Sequence, residues 1–197
     1  WRVPAAPAEA LLRGRKAPIG NNYEHTPLFI DGLLYARSET GPLIAMDPLT
    51  GKVVWVDKDA KEAGRSRGIS YWTDGKDARI FALDGAALIA VNAKTGQRYA
   101  DFGNGGSVDL AVYANPRPNS PVKSFSWSSF PVVVGDTVVI AGVPEIDRDN
   151  IPANVKPGLD APGDIRGYDV RSGKLIWTFH VIPRPGEFGY DTWKNNS

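Results

Sequence analysis

Two histidines, His25 and His180, and no cysteine make up this chain's share of side chains that ordinarily titrate nearest neutral pH. His25 follows Glu24 in Tyr23-Glu24-His25-Thr26-Pro27, so an acid and a base stand side by side. His180 comes just after the apolar run ending at Phe179, where a hydrogen-bonded structural place outweighs catalysis. Arg67 sits in Arg65-Ser66-Arg67-Gly68. A planar guanidinium grips carboxylates with two parallel bonds, and the glycine after it lets backbone approach a ligand closely. Hydroxyls crowd Ser124-Phe125-Ser126-Trp127-Ser128-Ser129, and the carboxylates Glu145 and Asp147 share a Pro-rich stretch. Each has a plainer reading: a solvated glutamate, a surface arginine, a strand-end serine, an acidic loop residue. The missing cysteine excludes disulfides, thiolate chemistry, Cys-based zinc sites and a Cys-x-x-Cys-His haem attachment.

What must position these residues is a repeated cassette. Its copies are Ala45-Met46-Asp47-Pro48-Leu49-Thr50-Gly51-Lys52-Val53-Val54-Trp55, then Ala90 to Ala100, then Gly167 to Trp177. All three keep Asp or Asn, then Thr or Ser before Gly; two keep Lys and a closing Trp. A strand ending at Asp/Asn, a turn bonded to that side chain, a glycine with positive φ and a departing strand account for the pattern. The second copy ends on Ala100 where the others carry Trp, so its junction is expected to dock less tightly. Upstream of each cassette lie further hairpin signals: Asp31-Gly32, Asp84-Gly85 and Gly135-Asp136, each between apolar runs.

The cassette anchors fall at 47, 92 and 169. The first interval matches the roughly 40–45 residues of a four-stranded propeller blade. The second is far longer, so loops from Asp101 to Pro121 and from Pro144 to Asp164 are expected between the strands. The reading is all-β, a partial β-propeller of about three four-stranded blades at roughly 20–57, 66–100 and 125–180, forming one domain over 1–197. Three blades do not close a ring, since propellers typically need about four to eight. The rest of a larger propeller is therefore expected to complete the fold. Helix signal is confined to Ala8-Glu9-Ala10-Leu11-Leu12.

Charge narrows the partners. Lys+Arg 23 against Asp+Glu 22 leaves +1, with no basic cluster to hold a nucleic-acid backbone. No apolar run approaches the roughly 20 residues of a membrane span. A start on Trp1, without the charged-then-apolar layout of a signal peptide, is expected of a mature product or an excised piece.

The Asp-x-x-Thr-Gly-Lys-x-x-Trp cassette resembles the tryptophan-docking repeat of pyrroloquinoline quinone (PQQ)-dependent dehydrogenases, which are eight-bladed propellers. Arg67-Gly68-Ile69-Ser70-Tyr71-Trp72 and the run from Trp177 to Trp193 are similar to segments of that family's glucose-dehydrogenase-like branch. The resemblance covers nearly the whole chain, with Trp1 like the closing Trp of a preceding blade, and under half a propeller is present. It implies that Glu24 hydrogen-bonds the quinone, that Arg67 contacts its carboxylates and ortho-quinone side, and that the Ser128 hydroxyl binds it too. It implies a calcium ion acting as a Lewis acid, with Glu145 as the candidate ligand and Asp147 next to it.

The resemblance places no catalytic residue here: the stacking Trp, the Asn ligand and the aspartate base are expected beyond Ser197. The family's alcohol dehydrogenases carry adjacent cysteines where this chain has Lys61-Glu62-Ala63-Gly64-Arg65-Ser66, which favours a sugar or polyol substrate. The implied whole is a periplasmic oxidoreductase passing electrons to a membrane quinone, of which this piece alone is inactive. The rival is a non-enzymatic scaffold propeller of the outer-membrane assembly type. It has no reason to gather Glu24, Arg67 and Ser128 at one end of the propeller axis.

Overall fold

The computed structural model describes residues 25–37, 42–60, 67–111, 122–126, 129–146 and 163–192, with backbone alone for 122–126 and 143–146. Three four-stranded antiparallel sheets follow one another along the chain. The first is β1 (Leu28–Ile30), β2 (Leu33–Arg37), β3 (Leu43–Met46) and β4 (Val53–Val56). The second is β5 (Ser70–Thr73), β6 (Ala78–Asp84), β7 (Ala87–Asn92) and β8 (Ser107–Asp109). A strand β9 (Val122–Ser126) precedes the third, which joins β10 (Val132–Val134) and β11 (Thr137–Ala141) to β13 (Ile165–Asp169) and β14 (Leu175–Phe179). Between β11 and β13, β12 (Val143–Ile146) pairs back with β9 as a separate ribbon. No α-helix occurs among the described residues, which end in one 3-10 turn at Tyr190–Thr192. The suggested Ala8–Leu12 helix and Trp1 lie outside them.

The cassettes explain the sheets' shared lower turns. The side chains of Asp47, Asn92 and Asp169 each accept two backbone N–H groups of the turn, at 2.7–3.3 Å. Gly51, Gly96 and Gly173 then take φ of 71°, 74° and 69°, and each donates its N–H back to the anchor's carbonyl at 2.8–2.9 Å. Only glycine enters that left-handed region at little cost, so the Thr/Ser-Gly pair recurs.

The second copy departs from the expectation after its turn. Arg98 makes only an isolated bridge to Val91, and the fourth strand is β8, beyond the expected limit of 100. Tyr99 turns aside to bond Asp77 and Asn92, and turns at Gly103, Gly105 and Gly106, all with positive φ, carry the chain to β8. The segment expected as an insertion from Asp101 is thus part of the second sheet's path. Likewise Pro144–Ile146, expected as loop, belongs to the β9–β12 ribbon.

The middle sheet is buried on both faces, because β6 and β7 send alternate apolar residues each way. Ile80, Ala82, Ile89 and Val91 pack with Tyr35, Leu43 and Trp55 of the first sheet. Phe81, Leu83 and Leu88 pack with Val138, Ile140 and Tyr168 of the third.

Ala100 does not loosen the second junction. At the first junction Trp55 lies against Gly96 and donates its indole N–H to Ala93 O at 2.8 Å. At the second, Val108 covers Gly173, its Cγ2 2.6 Å from where a Cβ would stand, with the ring of fully buried Phe102 at 3.3 Å, and Gly103 N–H bonds Ser172 O at 2.9 Å. Arg79 adds bonds to the carbonyls of Val170 and Arg171 at 3.3 and 2.8 Å. Arg171 stacks 4.5 Å above Trp72 and pairs with Asp74 and Asp136. Val108 and Phe102 together fill the place that a closing Trp takes at the first junction.

Candidate functional site

Antiparallel order sets one shared upper end for all three sheets. There the first strand begins, the second ends, the third begins and the fourth ends. The three first strands, β1, β5 and β10, converge at this end. Thr26 forms a parallel bridge with Gly68, and its N–H donates to Arg67 O at 2.8 Å. A Cβ on Gly68 would come within 3.1 Å of the Phe130 ring, so glycine allows the third sheet's approach. Ser70 Oγ donates to Pro131 O beside it.

Arg67 stands at this meeting point, exposed, next to buried Gly68. Glu24 and Ser128 lie outside the described residues, but their neighbours His25 and Ser129 are inside. Positions 24, 67 and 128 each come a few residues ahead of a first strand, and the three strand starts are the ones brought together. Glu145 is on β12, opposite Ser124 in the ribbon, which continues β11 from the same upper end; Asp147 lies outside the described residues.

An exposed guanidinium at the junction of three sheets suits a ligand carrying several carboxylates. Among the described residues, which exclude the Glu145 side chain and Asp147, no group of three or more His, Asp or Glu side chains could hold a metal.

His25 is largely buried beside Thr26. Burial, and then the charge of Arg37, lower its pKa to about 4, so it is neutral at physiological pH. His180 has the structural place expected of it. Its Nδ1 lies 2.7 Å from Glu187 Oε1, while Glu187 Oε2 accepts the Arg184 N–H at 2.7 Å. The Arg184 amide, then His180, hold the Glu187 carboxyl below its usual range.

Between the first two sheets, at the upper end, lies a buried charge cluster. Arg98 Nη2 bridges Asp57 Oδ2 at 2.8 Å and Asp84 Oδ2 at 2.7 Å. Arg37 is buried beside them and feels both carboxylates. No spacing rule betrays this cluster, since its members come from four separated places along the chain.

Known proteins match this architecture. All of residues 1–197 fit the family described as PQQ: glucose/ethanol/alcohol dehydrogenase, β-propeller domain. The chain is 33% identical over 180 residues to quinoprotein glucose dehydrogenase A of Acinetobacter calcoaceticus, covering 78% of this chain and 21% of that one. It is 32% identical over 187 residues to the glycerol dehydrogenase large subunit of Gluconobacter oxydans, covering 88% and 24%. A solved quinohemoprotein alcohol dehydrogenase from Pseudomonas putida HK5 superposes with a TM-score of 0.57 at 24% identity, over 85% of this chain and 22% of that one. The chain thus spans between a fifth and a quarter of the length of these relatives. The described part is all-β, three four-stranded sheets of a partial β-propeller, and the chain belongs to the PQQ-dependent glucose/ethanol/alcohol dehydrogenase β-propeller family.

Proposed function

We propose that the protein to which this segment belongs oxidises a sugar or polyol hydroxyl, with the upper end of the sheets forming part of a PQQ site. The convergence of β1, β5 and β10 at Thr26, Gly68 and Pro131 carries this reading, because it gathers the approaches to positions 24, 67 and 128. In this reading Arg67 binds carboxylates of the cofactor, and Glu24 and Ser128 supply hydrogen bonds. When bound, PQQ supplies the two-electron redox chemistry, while the chain supplies binding and orientation.

Likeness to a glucose and a glycerol dehydrogenase supports the sugar or polyol class, although quinohemoprotein alcohol dehydrogenase ADH IIB of Pseudomonas putida is also 29% identical. The absence of cysteine tilts the choice further. Calcium, with Glu145 as a ligand, a periplasmic location and a membrane quinone as electron acceptor complete the proposal. So does closure of the propeller by further blades. Val132, Val134, Trp177 and Phe179 stand 40–63% exposed on the third sheet, a surface that neighbouring blades would cover.

The test is reconstitution of the full-length protein with PQQ and calcium, followed by dye reduction with glucose, glycerol and ethanol. Turnover of glucose or glycerol above ethanol is expected, with Arg67→Ala weakening PQQ binding at least tenfold. Absence of PQQ-dependent reduction with every substrate would leave the scaffold-propeller reading in its place.

A further inference from the structure

Burying four charges opposes folding, and apolar residues of similar volume commonly serve stability as well or better. Arg37, Asp57, Asp84 and the Arg98 side chain are nonetheless each less than 10% exposed. Their placement points to a role beyond cohesion. Arg37 ends β2 opposite Leu43, whose carbonyl accepts the Asp57 N–H at 2.8 Å. Asp84 ends β6 in the neighbouring sheet, so Arg98 ties the upper ends of both sheets together.

The cluster lies at the same end of the sheets as the candidate site. Arg37 acts electrostatically on His25, and the next residue, Thr26, donates its N–H to Arg67 O at 2.8 Å. Two links thus join the first two sheets at this end, the Asp57–Arg98–Asp84 ion cluster and the Thr26–Arg67 hydrogen bond. A shift of the first sheet's upper end against the second's would move the Thr26–Arg67 bridge with it.

We propose that Arg98 is a positioning residue: by joining Asp57 to Asp84 it fixes the two sheets' upper ends, and so holds Arg67 in one geometry for the cofactor. Arg98 touches no cofactor itself. A two-pronged guanidinium suits this role because it engages both carboxylates at once in fixed directions. The cofactor part of this inference rests on the proposed PQQ site; the Thr26–Arg67 part does not.

The experiment uses full-length protein carrying Arg98→Met, Arg98→Lys, or the combination Arg98→Met and Asp84→Asn, which removes one charge of each sign and leaves Asp57 to balance buried Arg37. Amide hydrogen exchange at Thr26 in the cofactor-free protein is measured first, then the PQQ dissociation constant and the substrate KM at saturating PQQ. In Arg98→Met, Thr26 exchange should quicken at least tenfold and PQQ binding weaken at least tenfold, with KM unchanged. Arg98→Lys should recover only part of each, because a point charge does not reproduce the fork. The combined variant gives the same readouts should Arg98→Met fail to fold.

Wild-type Thr26 exchange and PQQ affinity in folded variants would overturn the proposal, even with a lowered melting temperature, since that is what a purely cohesive cluster gives. A wild-type protein that fails to bind PQQ would sink the proposed function instead. Thr26 exchange would still decide whether Arg98 positions the Arg67 segment.

Discussion

Trp55 donates its indole N–H to the carbonyl of Ala93 at 2.8 Å, across the boundary between the first two sheets. Its ring lies where a Cβ on Gly96 would approach to 2.7 Å. A residue that closes one cassette is thereby locked onto the turn of the next. Gly96→Ala should cost roughly 1–2 kcal/mol for a left-handed Ala backbone and roughly 1–3 kcal/mol for crowding the ring. Trp55→Phe should cost about 1–3 kcal/mol by leaving the buried Ala93 carbonyl unpaired. Urea unfolding of the full-length protein measures both, and a midpoint unchanged by Gly96→Ala would refute the contact.

Fully buried Phe102 packs beside Val108 against Gly173 at the second boundary. Phe102→Ala should therefore destabilise by roughly 3–5 kcal/mol, on the scale of a buried aromatic truncation. Replacing exposed Ala100 with Trp should bring no comparable gain, because the junction is already filled. A large stabilisation by Ala100→Trp in thermal unfolding would show that the missing Trp does leave a gap.

Arg79 is buried, bonds Asp77 at 2.8 Å, stacks 3.8 Å from the Tyr99 ring centroid and reaches two carbonyls of the third sheet. Arg79→Lys keeps the charge but loses the plane and most of the donors. It should still destabilise, by about 1–3 kcal/mol for the buried groups left unpaired. Denaturation that cannot tell Arg79→Lys from wild type would show that charge alone suffices.

His25 sets a pH dependence whose sign follows from its lowered pKa. The unfolded chain takes up a proton near 6.5, while the folded protein resists it down to about 4. Between those values the unfolded state binds more protons, so this contribution to stability is present above about pH 6.5 and is lost as pH falls toward 4. Chemical unfolding at pH 7.5 and 5.5 should show a smaller loss of stability in His25→Gln than in wild type. Equal losses would mean that His25 titrates normally.

The sheets were legible because their signals are local. Asp47, Asn92 and Asp169 each cap a turn within three residues of themselves, and Gly51, Gly96 and Gly173 each meet a backbone demand that sequence neighbours impose. Three four-stranded sheets follow from such short-range rules. The packing of Phe102 and Val108 against Gly173 was not legible. It depends on how far the chain after Arg98 travels before pairing again, which Tyr99 decides by turning to Asp77. The Arg37–Asp57–Asp84–Arg98 cluster and the Thr26–Arg67 bridge were likewise invisible in one dimension. Partners drawn from different sheets meet only when packing brings those sheets together, and no residue spacing records that meeting. The sequence by itself thus determined the repeating blade and its turns, because those interactions span a few residues. Only the tertiary structure decided which strand starts share one end and which charges are buried behind them.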